Sequence, residues 1–202
     1  MSLFEQLGVV RGGRKQVEAV PEDPTRLRYV FQESDVRLAR GTYLMQRITH
    51  LLFPQTVPAA YEFFLDPASG RFGMTVERVS LDAAHVAHQL RARRLPDEDH
   101  HAHVVEYYED RYSESEEFER AGDAFEKAGV HIDPYIGNWT LAEGGTRNVD
   151  VSAPWIDKGL HLKRTFDADK LRAAIAGLAE PARTEAQTAF DELLSLETQE
   201  RV

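Results

Sequence analysis

Cysteine is absent from the 202 residues. That excludes disulfides, thiolate metal sites and a cysteine nucleophile, and it leaves the compartment undecided. Basic residues are outnumbered: 24 Lys and Arg stand against 34 Asp and Glu, a formal charge of −10. So acidic a chain repels phosphate polymers as a whole, which argues against a nucleic-acid partner. Long apolar runs are missing as well, and none approaches the ~20 residues needed to cross a bilayer. Met1 to Gln6 shows no basic segment leading into an apolar one, so neither a signal peptide nor a membrane partner is expected. A cytoplasmic location is the default expectation.

What is present suffices for a packed core. Apolar residues make up 42 % of the chain, enough at this length for one domain or two small lobes without staples. The charge is uneven. Arg11, Arg14, Lys15, Arg26, Arg28, Arg37, Arg40 and Arg47 gather early, whereas residues 97–126 are crowded with Asp and Glu. A basic first third suits a small anion such as a phosphorylated metabolite.

The pattern of the first third predicts strands and then a helix. Leu7–Val10 and Gln16–Val20 flank a glycine-bearing turn over residues 11–15, a hairpin signal. Arg26–Gln32 alternates and is rich in β-formers, a third strand. Ser34 or Asp35 can cap a helix over 36–52, with Leu38, Leu44 or Met45, Ile48, Leu51 and Leu52 at helical spacing. Two further strands, 59–65 and 72–79, flank the strong turn Asp66-Pro67-Ala68-Ser69-Gly70. The order is βββαββ. Beyond a boundary at Val79 to Leu81 the chain is expected to be mainly helical, over 82–94, 103–111, from a capping box at Ser113-Glu114-Ser115-Glu116 to about 128, and over 168–178 and 182–197. Phe118, Ala121, Phe125 and Ala128 would form the buried face of the third, with Gly129 at its end. A hairpin is expected where Trp139–Leu141 and Asn148–Val151 bracket residues 143–146. Two units follow from this: a β-rich unit over 1–80 and a helical unit over 81–202.

The chemistry-bearing residues cluster around that hairpin. His131-Ile132-Asp133-Pro134-Tyr135-Ile136-Gly137-Asn138 precedes it, and Asp150 lies twelve residues beyond Asn138. An amide oxygen and a carboxylate suit magnesium, a hard cation that keeps several waters, and a separate Asp can orient a hydroxyl nucleophile. Each residue also has an ordinary structural role open to it: Asp133 before a proline opens turns, and Asn138 suits an Asx-turn.

The spacing His-x-Asp-x4-Asn, followed by a hairpin and an Asp, resembles the catalytic and metal loops of the protein kinase-like superfamily. The βββαββ order and the helical second half are similar to that fold over roughly residues 4–155. The resemblance implies an α+β, two-lobed architecture, with a five-stranded antiparallel N-lobe and a short, truncated helical C-lobe. It implies ATP and Mg2+ as cofactors, Asp133 as catalytic base, and Asn138 and Asp150 as metal ligands. Gly12 and Gly13 would form the turn over the nucleotide, and Glu77 to Val79 the hinge that meets adenine. The acceptor would be a small molecule or a protein.

The chain departs from the family's pattern at two charged positions. The third strand carries no lysine for the nucleotide phosphates, and Val36 to Phe53 carries no glutamate to pair with one. Arg28 or Lys15 would have to supply the cation. These losses favour an alternative, a pseudokinase that binds nucleotide or a protein partner without transferring phosphate. Other features have plainer expectations. The histidines at 100, 101 and 103 suit a solvated helix start, the acidic run 106–119 a solvated face, and Trp139 and Trp155 a core.

Overall fold

The structure, a computed structural model, describes residues 10–12, 15–32, 34–80, 106, 116–131, 139–142, 145–148, 151, 153–157 and 162–198. The helices expected over 82–94 and 103–111 fall outside these residues, Glu106 excepted. Described residues form an α+β fold around an antiparallel sheet. Four strands of five to seven residues carry it: β2 (Lys15–Ala19), β3 (Arg26–Phe31), β4 (Ala60–Asp66) and β5 (Arg71–Glu77). The three-residue β1 (Val10–Gly12) lines one edge, giving the order β1-β2-β3-β5-β4. The sequence suggested five strands, the first over Leu7–Val10; four carry the sheet, and the first is this short edge segment. Its turn is also tighter than the expected 11–15. Gly12 pairs with Lys15, so both belong to strands and only residues 13 and 14 lie between them.

The turn between β4 and β5 forms as its sequence dictates. Asp66 accepts from the Ser69 N–H (2.9 Å) and hydroxyl (2.5 Å), and Gly70 takes the left-handed conformation (φ 66°) that closes the loop. These bonds hold the Asp66 carboxyl below its ordinary pKa, chiefly through the Ser69 hydroxyl, with Arg28 adding a smaller attraction.

Helix α1 (Val36–Leu52) begins where Asp35 accepts from the Arg37 N–H. Tyr43 of α1 meets Phe63 of β4 at 5.7 Å, and Phe63 lies opposite Met74 in the ladder. Strand alternation therefore places Leu27, Met74 and Val76 on the α1 side, all buried. Two helices of the second half follow the same logic: α3 (Ala168–Ala176), capped by Asp167, and α4 (Ala182–Glu197). α4 packs along α1, fastened by a two-pronged Arg40–Glu192 pair (2.7 and 3.0 Å) and an Arg47–Glu185 pair.

Between these helices in sequence lie α2 (Glu116–Lys127), hairpin β6 (Trp139–Ala142) and β7 (Gly145–Asn148), and a second hairpin, β8 (Trp155–Asp157) and β9 (Leu162–Arg164). Phe125 on α2 and Ala128 just past its end are buried, with Phe118 and Ala121 partly so, as the spacing predicts. Strand β7 starts earlier than expected: Gly145 and Thr146 sit in the ladder, not the turn, and the strand ends at Asn148. The β8–β9 pair was not anticipated at all. One apolar cluster runs from β3 and β5 through α1 to α3 and α4, taking in both tryptophans. No helix among the described residues is long and apolar enough to cross a membrane.

Candidate functional site

The β6–β7 hairpin is held at both ends. At its tip, Glu117 of α2 accepts from the Thr146 N–H at 3.0 Å. Along its side, Trp139 meets Phe118 edge-on at 4.8 Å, and Phe125 behind it meets Phe53 at 4.6 Å. At the open end, the Asn148 N–H donates to the Thr56 carbonyl (2.8 Å), so the segment after α1 becomes a bridge to the hairpin. Arg147 strengthens that bridge through Glu77, its Nη2 lying 3.0 Å from Oε2. Glu77 Oε2 also accepts from the Ala59 N–H at 3.1 Å, and the Glu77 N–H donates back to the Ala59 carbonyl at 2.8 Å. One carboxylate thus joins β5, the segment after α1, and the hairpin.

At this open end Trp139 and Asn148 are directly paired. Asn138 is one peptide bond before Trp139, and Asp150 is two residues after Asn148. Asn138 and Asp150, like Asp133 and Gly13, lie outside the described residues. Val151, next after Asp150, is buried in the core, and the chain from there docks on α1. Trp155 and Pro154 lie directly over Gly41, where a Cβ would stand 2.2 Å from the indole Cζ3 and 3.0 Å from Pro154 Cγ.

The other expected site residues fall as follows. Gly12 ends β1 and Lys15 opens β2, opposite each other. Arg28 stands on β3, its guanidinium 3.3 Å from Asp66 and 4.5 Å above the Phe64 ring. Glu77 ends β5 in the bridge just described, and half-buried Val79 follows two residues on. The N–H groups of Glu77 and Arg78 are both used, by the carbonyls of Ala59 and Thr25. Among the described residues no backbone carbonyl accepts from Val79. The arginines of α1 are engaged as well, Arg37 with Asp35, Arg40 with Glu192 and Arg47 with Glu185.

Sequence reasoning missed three residues that fix this part of the chain: Gly41 under Trp155, Arg147 and Asn148. Asn148 is 1 % exposed, yet neither of its amide atoms has a partner among the described residues. Its burial has no local sequence signal. A hint does lie in composition, since the chain's two asparagines, 138 and 148, flank the same hairpin end. No group of three or more His, Asp and Glu that could hold a metal ion occurs among the described residues. The donors the resemblance implies are hard oxygens from an amide and a carboxylate. The Asn148 amide, buried two residues before Asp150 in sequence, carries a hard oxygen of the kind magnesium accepts. No family model matches the chain, and comparison with curated proteins returns no relative.

Proposed function

We propose that the chain is a divergent kinase-like protein with two lobes, binding ATP with Mg2+ at the open end of the β6–β7 hairpin and acting in the cytoplasm. One observation carries the reading: Trp139 and Asn148 are paired, so the residue bonded to Asn138 and the strand leading to Asp150 share one end. A cation between an amide and a carboxylate needs such a closure. Glu77 and Arg147 tie that end to the last strand of the sheet, beside Val79, which would meet the adenine. Bound there, magnesium would offset charge on the nucleotide phosphates. Asp133 would accept the proton of an acceptor hydroxyl as its oxygen bonds to the γ-phosphorus and the bond to the departing ADP breaks. Gly12 and Gly13 would cover the phosphates, with Lys15 as the nearby cation. The acceptor would be a small molecule or a protein.

A second reading, a pseudokinase that binds nucleotide without transfer, is favoured by Arg28. Its guanidinium is spent on Asp66 and Phe64, so the strand position that lacks lysine gains no free cation from it. Titration with ATP and magnesium, followed by measurement of ADP formation, separates the two. Binding with ADP formed, and lost in Asp133→Asn, supports the phosphotransferase. Binding with no ADP formed, unchanged in Asp133→Asn, supports the pseudokinase, and no binding in wild type refutes both.

A further inference from the structure

We draw no further inference here: the strongest candidate, the apolar surface patch at the edge of the sheet where exposed Leu65 of β4 pairs with half-buried Phe72 of β5 beside the Phe63–Phe72 stack, carries nothing because nothing in the structure shows what covers it.

Discussion

Gly41 lies in the middle of α1, where glycine is about 1 kcal/mol less favourable than alanine. Propensity alone therefore says that Gly41→Ala should stabilise the protein. The packing says otherwise. A Cβ at 41 would stand 2.2 Å from Trp155 Cζ3, 2.9 Å from Cη2 and 3.0 Å from Pro154 Cγ, against roughly 3.5–4.0 Å for an ordinary carbon contact. Trp155 would have to retreat by more than an ångström, and it has little freedom to do so. It is 2 % exposed, and its segment is fixed to Thr165, whose N–H and hydroxyl reach the carbonyls of Pro154 (2.9 Å) and Ala153 (2.7 Å). Overpacking of this kind costs about 1–3 kcal/mol, and more where neighbours cannot relax. With Trp155 held this firmly the upper part of that range, about 2–3 kcal/mol, applies, and less the propensity gain of about 1 kcal/mol the expected net loss is about 1–2 kcal/mol. That lowers the melting temperature by about 2–8 °C for a chain of this size. Calorimetry measures the loss. Tryptophan emission, read in a Trp139→Phe background to isolate Trp155, should shift to the red. A double-mutant cycle with Trp155→Leu supplies the control, since alanine at 41 should be tolerated once the ring is gone. A Gly41→Ala protein as stable as wild type, with unshifted emission, would refute the reasoning.

Two other predictions concern the bridge and the acid limb. Arg147→Ala should cost about 1.5 kcal/mol, because it strips a charge-assisted bond from half-buried Glu77, and Glu77→Gln in that background should cost little more; equal costs of Glu77→Gln with and without Arg147 would contradict the bridge. Asp23, Asp66 and Glu180 are all held below their ordinary pKa values, chiefly by the hydroxyls of Thr25, Ser69 and Thr184 respectively. The unfolded chain then binds more protons than the folded one as pH falls, so their stabilisation is present at neutral pH and drains away below the unfolded values of 3.8 for the aspartates and 4.5 for the glutamate. Asp66→Asn should flatten the acid limb of the melting-temperature profile, and an unchanged slope would contradict the assignment.

Much of this architecture is legible along the chain because its signals are local. Asp35 sits just before a helical spacing of Leu38, Leu44 and Ile48, and it caps α1. Asp66 to Gly70 is turn chemistry that folds where it stands, and the Phe118–Phe125 face of α2 is a periodicity. What escapes the sequence depends on distant partners. β8 and β9 have three residues each, too few for alternation to register, and although Trp155 reads as a core residue, its seat over Gly41, over a hundred positions earlier, does not. The Glu77–Arg147 bridge spans 70 positions. Arg28, read as a spare cation, is engaged by Asp66 across the sheet. Asn148 carries no local mark of burial, because a polar residue at a strand end ordinarily faces water. Glycine turns are legible in place but not in width: the pairing of Gly12 with Lys15 follows from the register of β1 on β2, which no single residue states.

The most direct test of the central claim is the melting temperature with and without millimolar ATP and magnesium, in wild type and in Asp150→Ala. A ligand that binds only the folded state must raise it, by about 2.7 kcal/mol of stability at a hundred times its Kd. The account predicts a magnesium-dependent rise of several degrees in wild type that vanishes in Asp150→Ala. An unshifted wild type up to several millimolar, or a rise that survives in Asp150→Ala, would contradict it.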